Sequence, residues 1–255
     1  MYSEWPSRLP HVTAWRSVAP PGGWATRILP DGCLDIIWDD GSVFVAGPDT
    51  VAEVATSPPG SRSFALRFAA GTGPCVLGVP ADELTDRQVP LADLWPASEV
   101  RRLAEAADPM AAIEAAALRR WQDPDRAMVA LAAGARAGRP VGAIADSLGL
   151  SARHLQRRCK TAFGYGPKTL ARVLRLQRAL ALARNGSPFA EVSANAGYAD
   201  QAHLSREVRA LAGVPLRGLI TAGPRPRRTG PPRFRPGLSA RRIAGPSPRP
   251  TDLCG

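Results

Sequence analysis

Two stretches decide how this chain folds: Leu148-Gly149-Leu150-Ser151-Ala152-Arg153-His154-Leu155-Gln156-Arg157-Arg158-Cys159-Lys160 and Ala196-Gly197-Tyr198-Ala199-Asp200-Gln201-Ala202-His203-Leu204-Ser205-Arg206-Glu207-Val208. Each reads as a glycine turn, then a Ser or Asp whose side chain can accept from the unpaired N–H groups of a helix start, then apolar residues at helical spacing. In the first, Leu155, Cys159 and Ala162 recur at i, i+4, i+7 and turn inward, which leaves Arg153, Gln156, Arg157 and Lys160 on the opposite face. In the second, Leu204, Val208 and Leu211 turn inward and Ala202, Ser205, Arg206 and Arg209 outward.

Working outward, turn residues divide the chain around these stretches into six helices, predicted at 127–137, 141–148, 152–163, 167–184, a short segment after Ser187-Pro188 that ends at Gly197, and 201–211. The same pattern occurs twice: short helix, glycine turn, capped helix. That is the layout of a helix-turn-helix, in which the first helix braces the second and the second enters the major groove of DNA. The exposed stripes hold the right chemistry, since Arg pairs bidentately with guanine, Gln with adenine, and Lys with phosphate. An amphipathic helix with a basic face is common on its own; two copies, each behind a glycine turn and capped, favour DNA. The helix between them would be roughly 27 Å long at 1.5 Å per residue, against about 34 Å between successive major grooves on one side of B-DNA, so it is a plausible spacer.

The front of the chain reads as β. Leu34, Ile36 and Trp38 alternate with Cys33, Asp35 and Ile37; Asp39-Asp40-Gly41 is a hairpin turn into Val43, Phe44 and Val45; Phe64, Leu66 and Phe68 alternate with Ala65 and Arg67. From 81 to about 122 the pattern turns helical, with Leu84, Leu91, Leu94, Val100, Leu103, Ile113 and Leu118 as core candidates. The expected fold is therefore α+β: a small amino-terminal β-barrel or sandwich with helices, followed by an all-α double helix-turn-helix. The domains expected are 1–122, a sensor or dimerisation unit; 123–222, a DNA-binding unit; and 223–255, a disordered basic tail dense in Pro, Gly and Arg.

Charge follows the same division. Of the chain's 255 residues, 33 are Lys or Arg and 22 Asp or Glu, a net +11. Residues 1–120 carry 10 basic and 15 acidic groups, residues 121–220 carry 15 and 6, and residues 221–255 carry 8 and 1. An acidic front with a basic back points to a polyanionic partner for the second half, double-stranded DNA before an anionic membrane, because the basic tail lacks an apolar face. No apolar run approaches the roughly 18 residues that would span a bilayer, and no signal peptide is visible at the start. Cys33, Cys75, Cys159 and Cys254 are far apart and never in a C-x-x-C pair, as expected of reduced thiols in a cytoplasmic protein.

Residues 141–220 resemble the carboxy-terminal double helix-turn-helix domain of AraC/XylS-type transcriptional regulators, most strongly through Leu150-Ser151-Ala152-Arg153-His154-Leu155-Gln156-Arg157 and Gly197-Tyr198-Ala199-Asp200-Gln201-Ala202-His203-Leu204-Ser205-Arg206. The resemblance implies a seven-helix DNA-binding domain from about 124 to 222 whose two recognition helices enter adjacent major grooves. It also implies base-contacting positions at Ala152, Arg153, Gln156 and Arg157, and at Gln201, Ala202, Ser205 and Arg206. Cys159 and Val208 depart from the family, which has a larger aromatic at both places, and this implies lighter packing beneath the recognition helices. Through Leu29-Pro30-Asp31-Gly32-Cys33-Leu34-Asp35, Ala46-Gly47-Pro48 and Leu77-Gly78-Val79-Pro80-Ala81-Asp82-Glu83-Leu84, the front resembles an uncharacterised domain found fused to this DNA-binding domain. By analogy with family relatives, it would bind an effector or dimerise.

An enzyme is the competing class. A metal-dependent cupin needs several His ligands, whereas the histidines here are His11, His154 and His203, the last two in the recognition helices as packing or cap-region residues, so neither a metal nor another cofactor is expected. The alternative kept is a DNA-associated enzyme of alkyl-acceptor type using Cys33. The adjacent Asp31 and Asp35 disfavour the thiolate such chemistry needs, and the expectation is a structural Cys33 in a non-enzymatic regulator, activator or repressor. RNA polymerase, a small-molecule effector and a second copy of the chain are the further candidate partners.

Overall fold

The computed structural model describes residues 1–220; the basic tail expected at 223–255 lies outside the described residues. The amino-terminal part holds eight strands: β1 (Tyr2–Pro6), β2 (Val12–Val18), β3 (Trp24–Ile28), β4 (Leu34–Asp39), β5 (Ser42–Ala46), β6 (Glu53–Ser57), β7 (Arg62–Phe68) and β8 (Gln88–Pro90). Six form one antiparallel sheet in the order β1-β2-β7-β4-β5-β8, and β3 and β6 pair in a second. No ladder joins the two among the described residues, so of the barrel or sandwich expected it is the open sandwich that forms. The β4–β5 hairpin turns at Asp40 and Gly41, both at positive φ (43° and 92°), as the Asp-Gly pair requires of a two-residue turn whose twist matches its strands.

The cross-strand register separates two faces of the large sheet. Ala14, Leu66, Ile36 and Val45 form one row across β2, β7, β4 and β5, and with Leu34, Phe68 and Val89 they pack against three helices, α1 (Pro74–Leu77), α2 (Ala97–Ala104) and α3 (Pro109–Arg120). The opposite face carries the row Trp15, Ala65, Ile37, Phe44 and, beside it, the cross-strand pair Arg67 and Asp35. Asp35 is 1% exposed and accepts from Arg67 Nε at 3.2 Å and from Trp15 Nε1 at 3.4 Å. In the second sheet Thr26, Ile28, Ala55 and Ser57 are buried in alternation with exposed or half-buried neighbours, the period-2 mark of a covered face.

The stretch expected to be helical from 81 is helical only from Ala97. Before it, Ala81–Glu83 and Leu91–Asp93 are single 3-10 turns on either side of β8. Leu118, expected in the core, is exposed: α3 buries Ile113, Ala116 and Ala117, and Leu118 at 100° per residue lies well off that face.

Seven further helices follow: α4 (Arg126–Arg136), α5 (Val141–Ser147), α6 (Ala152–Phe163), α7 (Pro167–Arg184), α8 (Phe189–Ala196), α9 (Gln201–Ala212) and α10 (Leu216–Ile220). They enclose two cores. One gathers Met128, Leu131, Ile144, Leu155, Cys159 and Phe163, the other Val192, Ala196, Leu204, Val208, Leu211 and Leu216. The 18-residue α7 serves both: Leu170, Val173 and Leu174 from its first half lie in the first core, and Leu176, Ala179, Leu180 and Ala183 from its second half lie in the other.

Asp35→Ala removes the buried carboxylate that accepts from Arg67 Nε and Trp15 Nε1, and breaking a buried ion pair is strongly destabilising. Asp35→Ala should therefore destabilise the chain by about 3–5 kcal/mol, read as a lowered urea midpoint. A shift no larger than that of an exposed carboxylate such as Glu4→Ala would show that the pair carries no structural weight.

Candidate nucleic-acid interface

Each recognition helix is started and stopped by residues visible in the chain. At α6, Ser151 Oγ accepts from His154 N at 3.4 Å, and Gly164, at φ +82°, ends the helix in the left-handed region. At α9, Asp200 Oδ1 accepts from His203 N at 2.6 Å, and Gly213, at φ +71°, ends it. The turns that bring the bracing helices α5 and α8 into them pass through Gly149 and Gly197, both at positive φ (65° and 85°), a conformation that costs a residue with a Cβ about 1–2 kcal/mol. His203 completes the second turn: its Nδ1 accepts from Ala199 N at 3.3 Å and its ring meets Tyr198 edge-on at 5.3 Å, the cap-region role expected of it. His154 is exposed.

The inward residues are those expected. Leu155, Cys159 and Ala162 of α6 and Leu204, Val208 and Leu211 of α9 are buried. Cys159 and Val208, where lighter packing was expected, are wholly inaccessible at 0%, and burial pushes the Cys159 thiol up to about 12. The outward residues are exposed without exception: Ala152, Arg153, Gln156, Arg157 and Lys160 on α6, and Gln201, Ala202, Ser205, Arg206 and Arg209 on α9. None of the five cations among them is in an ion pair within the described residues. The Gln156 amide lies back over Gly166, where a Cβ would stand 2.7 Å from its Nε2.

Four other arginines of this half do different work, which composition does not reveal. Arg158 clamps Asp125, the residue that caps α4, through Nε to Oδ2 at 2.8 Å and a second bond from Nη2 to Oδ1. On α7, Arg172 grips Glu207 of α9 with two bonds of 2.9 and 3.2 Å, Arg175 lies 5.4 Å over the Tyr198 ring, and Arg178 donates to Ala137 O at the end of α4 at 3.2 Å. Cationic side chains thus tie the spacer to the second helix-turn-helix and to the end of α4. The bonds from Arg172 hold the Glu207 carboxyl below the usual carboxylate range, against a smaller opposing effect of burial. Cys33 is buried, and its backbone N–H donates to Asp31 Oδ1 at 2.9 Å.

Residues 144–220 match the family model described as a helix-turn-helix domain, which spans α6 to α10 and most of α5. The chain carries an AraC-type helix-turn-helix domain. Domains of the AraC type are the DNA-binding part of transcription regulators, and this chain is a DNA-binding regulator in that sense. Residues 12–90 match a second model, described as a domain of unknown function (DUF6597). No curated protein matches the sequence. Among solved structures the chain is similar to ToxT from Vibrio cholerae, with 10% identity over 82% of this chain and 97% of that one and a TM-score of 0.42. It is similar too to unsaturated fatty acid bound wild-type ToxT from Vibrio cholerae strain SCE256, with 10% identity over 82% of this chain and 94% of that one and a TM-score of 0.43. Among the described residues, no helix is long and apolar enough to cross a membrane.

A carboxyl whose pKa is lowered on folding stabilises the fold above its unfolded value, about 4.3 for Glu, and loses that contribution as pH falls through the folded value. Glu207→Gln should therefore lower stability at pH 7, by less than about 1 kcal/mol because Arg172 is partly solvated. The difference should narrow at a second pH below the unfolded value. Paired urea titrations of the two proteins at both pH values check this, and a difference independent of pH would contradict it.

Proposed function

We propose that this protein is a sequence-specific DNA-binding transcription regulator that reads two adjacent major grooves of one duplex face with α6 and α9. Arg153, Gln156 and Arg157, with Ala152 beside them, read one half of the site. Gln201, Ser205 and Arg206, with Ala202, read the other, and Lys160 and Arg209 hold phosphates. The observation that carries the reading is the pairing of two exposed, capped, cation-bearing helices on a single shared spacer helix of 18 residues. A spacer of roughly 27 Å suits grooves that recur about every 34 Å.

In this proposal the chain divides into an amino-terminal unit at 1–122 that senses or dimerises, the DNA-binding unit at 123–222, and a basic tail at 223–255 that adds nonspecific attraction to the duplex. The protein works in the cytoplasm without catalysing a reaction, and Cys33 is a structural thiol. A small-molecule effector, RNA polymerase and a second copy of the chain are its proposed further partners.

Selection of duplexes from a random library by the whole protein, repeated with Arg206→Ala, tests the reading. The wild type should enrich a two-part site. Arg206→Ala should bind that site more weakly by about 1–3 kcal/mol and lose preference at one or two adjacent base pairs. A loss spread evenly over all sequences would make Arg206 a phosphate contact, and no enrichment by the wild type would refute specific reading.

A further inference from the structure

The amino-terminal domain grips the DNA-binding unit at three places, and two of them are the last turns of the recognition helices. At the end of α6, Thr85 Oγ1 donates to Gly164 O at 2.9 Å, and the fit there is close: a methyl on Gly164 would stand 2.2 Å from Thr85 Oγ1, 2.7 Å from Pro48 Cγ and 3.0 Å from Ala81 O. On either side, Phe163 packs against Gly71, where a Cβ would come within 2.8 Å of its ring, and a Cβ on Gly32 would stand 3.3 Å from the Tyr165 hydroxyl. Ala70 belongs to the first helix-turn-helix core. At the end of α9, Ala52 N donates to Leu211 O at 2.7 Å and Arg27 Nη1 to Ala212 O at 3.1 Å, and Leu29 packs on the second core. Between them, Gln177 Nε2 in the middle of α7 donates to Pro30 O at 2.7 Å.

These contacts have a common logic. The carbonyls at a helix C-terminus have no partner within the helix, and here the backbone of Ala52, just before β6, and Arg27 of β3 satisfy Leu211 and Ala212 of α9, while Thr85 reaches the carbonyl that follows α6. The grip is on the carboxy-terminal ends, so Ala152, Arg153, Gln201 and Ala202 at the opposite ends stay exposed. All the amino-terminal residues of these contacts, from Arg27 to Thr85, fall within residues 12–90, the span of the domain of unknown function.

We propose that this domain is a spacing clamp, a scaffold that holds α6 and α9 at one fixed separation and orientation by capping both of their carboxy-terminal ends and bracing α7 between them. The clamp deepens the proposed function, on which its effect on DNA rests. Two linked binding modules gain affinity when their geometry matches the span of the site and forfeit it when the geometry does not, so a clamped pair discriminates sharply between operator spacings. Ordering the pair in advance also removes that cost from the binding step.

The test uses the full chain with Arg27→Met, Thr85→Val and Gln177→Met combined, changes of similar volume outside both recognition stripes. Spin labels at Ala152→Cys and Ala202→Cys, in a Cys254→Ser background, report the distance between the two helix starts without DNA. The clamp predicts one narrow distance distribution in the parent and a broadened one in the triple variant, with Arg27→Met alone giving a smaller broadening if the triple variant folds poorly. The same distribution in all three would overturn it.

With DNA, the parent should prefer the selected two-part site over one with a base pair inserted between the halves by about tenfold, equivalent to 1.4 kcal/mol. The variant should lose most of that preference. Unchanged discrimination, or tighter binding by the variant, would overturn the clamp as the device that sets spacing. If the distances broaden as expected and neither protein binds DNA, the clamp stands and the DNA-reading function falls.

Discussion

One helix, α7, is shared by two hydrophobic cores, and the rest of the carboxy-terminal half depends on that sharing. Leu170, Val173 and Leu174 close one core and Leu176, Ala179, Leu180 and Ala183 the other, so neither helix-turn-helix can reorient without disturbing a buried stretch of the same rod. A core packed at crystal-like density resists such shifts. The arginines extend the constraint laterally: Arg172 to Glu207 on one side and Arg178 to Ala137 on the other fasten the rod to α9 and α4. The rod thus sets the span between the recognition helices, and the amino-terminal contacts at Gly164, Gln177, Leu211 and Ala212 hold the two helices in place at its sides.

Charge in this protein has two uses that net composition blends together. Arg67, Arg158 and Arg172 face carboxylates, and Arg175 an aromatic ring, within the fold. Arg153, Arg157, Lys160, Arg206 and Arg209 face solvent in two groups with no such partner among the described residues. The second group is open to a polyanion, and it lies on the two helices whose caps and glycine turns mark them as the exposed members of their pairs.

The carboxy-terminal half was legible because its punctuation is local. Pro167 and Asn185-Gly186 bound α7, and Ser151 and Gly164 bound α6, so both helices run over the residues expected from the sequence. The exposed stripes followed from period alone. The amino-terminal half was less legible, because a six-stranded sheet covered on both faces buries Asp35, Ser63 and Arg67 along with the apolar residues and blurs the alternation that marks a strand. Strands β1, β3 and β6 carry mixed or mostly exposed residues and gave no pattern to read. Least legible was the docking surface: Pro30, Ala52 and Thr85 belong to loops and turns whose partners lie 79 to 159 residues away, at Gly164, Gln177 and Leu211, and no local rule anticipates such contacts. The short pieces at 29–35, 46–48 and 77–84 stood out as the residues that carry the resemblance to the uncharacterised domain, and Pro30, Pro48 and Ala81 within them contact the other domain.

If two helices on one spacer read one face of a duplex, guanine-methylation interference shows it most directly, because N7 methylation blocks the major groove. On a selected site bound by the whole protein, the account predicts two clusters of interfering guanines with centres about 10–10.5 base pairs apart. A single cluster, or two offset by about half a helical turn so that they face opposite sides of the duplex, would contradict it.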